Sequence, residues 1–136
     1  MLIYLTGLPA SGKSTWAKNF VKEKLDWVII NRDSLRNMRG DYWIPSQELL
    51  INKWEEYCVD SSLKLGLNVI VDATNLSTKS QNKWIKLAKK YTLEADIKTF
   101  DTPLETCIDR DSKRDKPVGK DIILNMYKKY IEPKIL

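Results

Sequence analysis

The sequence predicts an α/β fold, a three-layer sandwich in which helices cover both faces of a parallel sheet of about four strands. Three observations carry this expectation. Short apolar runs at residues 2–6, 27–31, 68–72 and 93–100 alternate with stretches whose apolar residues recur at helical spacing. The first three runs each end in a polar or glycine-rich cluster, the place where parallel strands pass into loops and helices. The chain is 136 residues long, enough for one sheet-and-helix core, and it contains no repeat, linker or low-complexity stretch. Residues 1–136 are therefore read as a single domain.

The elements follow in order. Residues 2–6 are apolar and bounded by Gly7, as a buried parallel strand should be. From 13 to about 24, Trp16, Phe20 and Val21 recur at helical spacing with lysines opposite. Residues 27–31 form a β-branched run that ends in the polar segment 32–36, with helical character. Tyr42 and Trp43 lie in a loop between Gly40 and Pro45, placed either in the core or against a base. Residues 46–65 read as a long helix capped by Ser46, with Leu49, Leu50, Trp54, Tyr57 and Cys58 on its apolar side and Gly66 at its end. After the strand at 68–72, residues 77–91 turn Trp84, Ile85, Leu87 and Ala88 inward. Lys79, Lys83, Lys86 and Lys90 form either a basic stripe or a solvated face. A helix at 103–111 starts beside Pro103, where proline is tolerated. The charge-dense residues 110–119, with Pro117 and Gly119, read as a loop or mobile lid, and a last helix at 121–130 is broken by Pro133.

Composition narrows the chemistry. A formal charge of +5 hints mildly at a polyanionic partner. Cys58 and Cys107 form no metal or redox pair and are expected to be buried. There is no apolar run of 18 residues and the N-terminal one is too short for a signal peptide, so the chain reads as cytosolic, with no membrane partner. With no histidine in the chain, a general base must be a carboxylate, a lysine or a tyrosine.

The strongest motif is Gly7-Leu8-Pro9-Ala10-Ser11-Gly12-Lys13-Ser14-Thr15, the G-x-x-x-x-G-K-[ST] phosphate-binding loop between a strand and a helix. Its glycines let backbone N–H groups converge on phosphate oxygens. Lys13 adds a charge over the β- and γ-phosphates, Ser14 offers a hydroxyl to Mg²⁺, and the helix N-terminus adds partial positive charge. ATP with Mg²⁺ is the expected cofactor. A carboxylate near the γ-phosphate would repel it unless it accepts the proton of an attacking hydroxyl, a role that suits Asp33; the alternative is that Asp33 caps the helix. Arg36, three residues on, either holds an anionic substrate group or is merely solvated. Asp72 ends its strand where it could reach Mg²⁺ through water, steer Arg36 or cap the next turn, and Thr74 and Asn75 are polar loop residues beside it. Arg110 and Arg114, one turn apart, either cover the transferring phosphate or belong to a solvated charge run.

Taken together, GLPASGKSTWA, INRDSLR, VIVDATNL and DSKRDKPVG resemble the kinase domain of bacteriophage-type 5′-polynucleotide kinases across almost the whole chain, with N-R-D-x-x-R the most discriminating part. The resemblance implies a P-loop kinase with a lid at about 110–119, transferring the γ-phosphate of ATP to the 5′-hydroxyl of DNA or RNA. It implies Asp33 as general base, Arg36 on the 3′-phosphate of the terminal nucleotide, and Arg114 as the lid arginine. It also implies that Lys13, Ser14 and the loop, with Pro9, Ala10, Ser11 and Thr15, hold ATP·Mg²⁺. Two departures stand out: Ala73 occupies the place of the acid that directly precedes Thr-Asn in the phage form, and no phosphatase domain follows Leu136. Removal of 3′-phosphates would then fall to a separate phosphatase, with a ligase completing repair, or the chain is a fragment. A phage-encoded protein of this kind would work in the host cytoplasm. The alternatives are a related kinase of a nucleoside or sugar and a non-catalytic nucleotide-binding module.

Overall fold

Leu2–Thr6, buried along its whole length, is the inner strand β1 of a four-stranded sheet. The computed structural model describes residues 1–40 and 43–135. Around β1 the order is β2-β3-β1-β4, with β2 at Trp27–Asn31, β3 at Asn68–Asp72 and β4 at Ala95–Thr99, all paired in parallel. Side chains alternate across a strand, and β1 uses both faces. Leu2 and Tyr4 pack with Val59, Leu63, Trp84 and Ala88 on one side, while Ile3 and Leu5 pack with Ala17, Trp16 and Phe20 on the other. The helices that supply these layers are α1 (Lys13–Val21), α3 (Glu48–Lys64) and α4 (Thr78–Lys90). The short α2 (Arg32–Met38) continues directly from β2. A third cluster joins Leu8 to Cys107 of α5 (Leu104–Ser112) and Ile123 of α6 (Lys120–Met126), fastening the C-terminal helices to the phosphate loop. The expected three-layer α/β sandwich with a four-stranded parallel sheet is thus present. No helix among the described residues is long and apolar enough to cross a membrane.

Several local expectations are corrected. The helix expected at 46–65 begins as a 3₁₀ turn, Pro45–Gln47, and α3 proper starts at Glu48 without a side-chain cap, so Ser46 does not cap it. Its buried stripe is Ile51, Glu55, Val59 and Leu63, four residues apart, while Leu49 is 66% and Tyr57 73% exposed. The glutamate in the middle of the stripe disguised it, because a search for apolar spacing passes over a carboxylate that is buried with cationic partners. Trp43 is exposed rather than in the core, and Tyr42 lies outside the described residues. Cys107 is buried as expected, but Cys58 is only half-buried. Pro133 does not break the last helix. A π-turn at Tyr127–Ile131 carries α6 into α7 (Glu132–Ile135), taking up the hydrogen-bonding change that a proline imposes on the turn before it.

Candidate active site

Gly7–Thr15 leaves the carboxyl end of β1 and enters α1. Gly12, with φ 101°, turns the chain in the left-handed region that glycine tolerates. At Gly7 the constraint is close approach: a Cβ there would meet Phe100 Cβ and Ser11 Oγ at 2.9 Å. The Gly7 N–H donates to Thr74 O at 3.0 Å, and Thr102 Oγ1 donates to Ser11 O at 2.7 Å, so the loop is braced from two neighbouring segments. Pro9, Ala10 and Ser11 are buried within it, whereas Thr15 faces solvent. Lys13 folds back on the loop, its Nζ donating to Gly7 O (2.9 Å) and Leu8 O (2.6 Å). Burial lowers its pKa to about 8 against the attraction of Asp72. Arg114 and Asp33 also act on the Lys13 charge, the first lowering and the second raising its pKa.

The donor loop is wired to the next two strand ends. Asp72 Oδ2, buried at the end of β3, accepts from Ser14 Oγ at 2.7 Å and from Asn31 Nδ2 at 2.9 Å. Asn31 and Asp72 are register partners across β2 and β3. The other end of the Asn31 amide caps α2, its Oδ1 accepting from Ser34 N at 2.8 Å. The capping position is therefore filled by Asn31, and Asp33 projects free of it, 77% exposed. Asp72 is bound to Ser14 and Asn31, whereas Arg36 is held by Glu48 and Asp33.

Of these two carboxylates, Asp33 was legible in the sequence beside Arg36, but Glu48 was not. Arg36 donates from Nε to Glu48 Oε2 (3.1 Å), from Nη2 to Glu48 Oε1 (2.5 Å) and from Nη1 to Asp33 Oδ1 (2.9 Å), and its guanidinium lies 5.0 Å from the Trp43 ring. Burial works against the Arg36 charge, but Glu48 and then Asp33 hold its pKa above the usual range. For Glu48 burial works against the carboxylate, and Arg36 and then Arg32 hold its pKa below the usual range. Arg32 bridges Glu48 (3.2 Å) and Glu55 (2.9 Å), and Lys83 approaches Glu55 at 3.6 Å, which leaves Lys83 less a solvated lysine than part of this network. The only signal in the sequence was two arginines four apart on α2 facing two glutamates seven apart on α3, a pattern that needs the fold to acquire meaning.

Thr74 and Asn75 divide the labour of their loop. Thr74, with Arg32, Glu55, Met126 and Tyr130, borders a cavity of about 230 Å³. Asn75 is buried with φ 41°; its Nδ2 donates to Leu5 O (2.8 Å) and its Oδ1 accepts from Ser80 Oγ (2.7 Å) and Trp84 Nε1 (2.9 Å). Its amide thus ties the end of β1 to α4. Asn75→Ala is expected to destabilise the fold by about 2–4 kcal/mol, since two buried hydrogen bonds and one partly buried one are lost; urea unfolding measures it, and the loss should be in the midpoint with an unchanged slope.

The 110–119 segment is held more firmly than the expected mobile loop. α5 extends to Ser112, and the buried Asp111 accepts the N–H groups of Val118 and Gly119, both at 2.9 Å. Arg114 sits 3.8 Å from the same carboxylate and is nearly half exposed, while Arg110 is in the last turn of α5. Among the described residues no group of three or more Cys, Asp or Glu side chains forms a metal site by itself. A hydroxyl beside a buried carboxylate, Ser14 and Asp72, is nonetheless the hard-oxygen set that suits Mg²⁺ completed by phosphate oxygens.

Comparison with known proteins adds three findings. The sequence profile of the AAA domain family AAA_33 matches residues 2–133. The L-seryl-tRNA(Sec) kinase of Methanococcus maripaludis is 31% identical over 98% of this chain and 53% of its own length. The bifunctional polynucleotide kinase/RNA ligase of Autographa californica nuclear polyhedrosis virus is 34% identical over 96% of this chain and 21% of its own length. A chain of the Pnkp1/Rnl/Hen1 RNA repair complex superposes with a TM-score of 0.84 at 36% identity, covering 98% of this chain and 45% of that one. The chain thus spans about half or less of the length of each. The resemblance to polynucleotide kinases drawn from the four motifs is borne out by the last two.

Proposed function

We propose, of a chain that belongs to the AAA_33 family of P-loop kinase domains, that it transfers the γ-phosphate of ATP to the 5′-hydroxyl end of DNA or RNA. The observation that carries this is the meeting of two half-sites at one edge: Asp72 joins Ser14 of the phosphate loop to Asn31, and Asn31 caps the helix that presents Asp33 and Arg36. The loop amides and Lys13 hold the triphosphate. Asp33, uncapped and exposed, takes the proton of the attacking hydroxyl. Arg36 holds the phosphate next to the terminal nucleoside, and Arg114, with Arg110 one turn before it, covers the phosphates from the 110–119 segment, where it already acts on the charge of Lys13. Thr74 borders the acceptor cavity, while Asn75 holds the loop in place. Ser14 and Asp72 would hold Mg²⁺, which when bound neutralises phosphate charge.

Incubation with γ-labelled ATP and a 5′-hydroxyl oligonucleotide, beside free nucleosides and a no-acceptor control, tests the reading. Label on the oligonucleotide supports it; label on nucleosides alone, or none, refutes it. The 31% identity to a kinase of L-seryl-tRNA(Sec) favours one second reading, a primary alcohol carried on RNA other than its 5′ end, and seryl-tRNA is the acceptor that separates the two. Arg36→Ala is expected to raise the KM for the oligonucleotide by about 10- to 100-fold, the worth of a lost charge-assisted pair of hydrogen bonds, and to leave the KM for ATP within about twofold. Steady-state kinetics varying each substrate in turn measures both.

A further inference from the structure

The geometry points to Glu48 as the positioning residue that orients Arg36 for the acceptor phosphate, an inference that rests on the function proposed above. Arg36 lies on a short surface helix, and its neighbour Asp33 is too exposed to fix a long side chain. Glu48 is different. It comes from another element, α3, is mostly shielded from solvent, and grips the Nε–Nη2 edge of Arg36 with both carboxylate oxygens. A two-pronged pair of this kind sets the plane of the guanidinium as well as its place, and the guanidinium carbon lies 5.0 Å from the centroid of the Trp43 ring. The same Glu48 Oε1 accepts from Arg32, so the carboxylate is itself held.

Donor arithmetic shows what the grip leaves over. A guanidinium has five N–H groups; Glu48 takes two and Asp33 one, so one on Nη1 and one on Nη2 remain for phosphate oxygens. Asp72, for which steering Arg36 was one of three expected roles, hydrogen-bonds to Ser14 and Asn31. Glu48 is therefore the carboxylate outside α2 that aims Arg36.

Positioning and simple charge balance predict opposite signs. If Glu48 were only a counter-ion, Glu48→Gln would leave Arg32 and Arg36 more positive and tighten an anionic acceptor. If it orients Arg36, the same change loosens the acceptor although the site has gained positive charge. We expect Glu48→Gln to raise the KM for a 5′-hydroxyl oligonucleotide about tenfold, with kcat and the KM for ATP within about twofold. The wild-type preference for a nucleoside 3′-phosphate over the plain nucleoside should fall by a similar factor, a ratio that general loosening of the fold would not move. Glu48→Asp keeps the charge but shortens the arm; it should lose at least half of that preference and serves in place of Glu48→Gln if the latter does not fold. An unchanged or lowered oligonucleotide KM in Glu48→Gln, a parallel rise in the KM for ATP, or full retention of the preference by Glu48→Asp overturns the inference. Oligonucleotide transfer by a wild-type chain indifferent to the 3′-phosphate overturns it while leaving the proposed function standing; absence of any transfer overturns both.

Discussion

Asp33→Asn should reduce phosphate transfer to a 5′-hydroxyl by about 10²–10⁴-fold while nucleotide affinity stays within about twofold. The asparagine keeps the size of the side chain and can still meet Arg36, whose contact with Asp33 Oδ1 is one of three and whose firmer hold is Glu48. What it cannot do is accept a proton. Nor can the fold be blamed for the loss, because the cap of α2 belongs to Asn31 and Asp33 is 77% exposed. Single-turnover transfer from γ-labelled ATP, with nucleotide binding followed separately by calorimetry, distinguishes a lost base from a lost donor site. A variant that turns over normally removes Asp33 from the role.

Lys13→Met should lower transfer about 10³-fold, through loss of the one side-chain cation built into the phosphate loop. It should also remove a pH dependence from the fold. Lys13 is 8% exposed, and burial lowers its pKa to about 8 from an unfolded value of 10.5. Between these values the unfolded chain binds the proton and the folded one releases it, so stability rises with pH across that window. Below about pH 8 the folded state carries the full cost of a buried charge; above 10.5 neither state is charged and the cost is gone. The stability of wild type minus that of Lys13→Met should therefore climb by about 3 kcal/mol from pH 8 to 10.5, measured by urea unfolding of both proteins at each pH. A flat difference contradicts the assignment. Bound triphosphate favours the charged amine, so nucleotide affinity of the wild type should weaken above about pH 8, with proton uptake on binding.

The sequence shows the sheet and the donor half of the site because both are local. Strand–loop–helix around Gly7–Thr15 is contiguous, and the parallel strands are short runs of Ile, Val and Leu flanked by loops. The half of the site proposed to hold the acceptor is legible only in its contiguous piece, Asn31–Arg36. Glu48 and Glu55 act from 12 and 23 residues beyond Arg36 and Arg32, across a helix crossing that no spacing rule reveals. Glu55, 2% exposed and paired with Arg32 and Lys83, interrupts the apolar spacing that would otherwise mark the buried face of α3. Asp111 looked like one more member of a charge run, yet its two backbone hydrogen bonds convert a loop into a braced segment. In each case the chemistry of a charged residue depends on a partner distant in sequence.

The pairing of Asn31 with Asp72 has a consequence for how this protein tolerates change. Side chains along a strand alternate sides, so slipping β2 by one residue against β3 would carry Asn31 to the opposite surface and uncouple α2 from the phosphate loop. The alignment of donor and acceptor is thus stored as a reading frame in the apolar matching of Val28, Ile29 and Ile30 with Val69, Ile70 and Val71. A single-residue deletion within β2, far from any phosphate, would act as a frameshift in space.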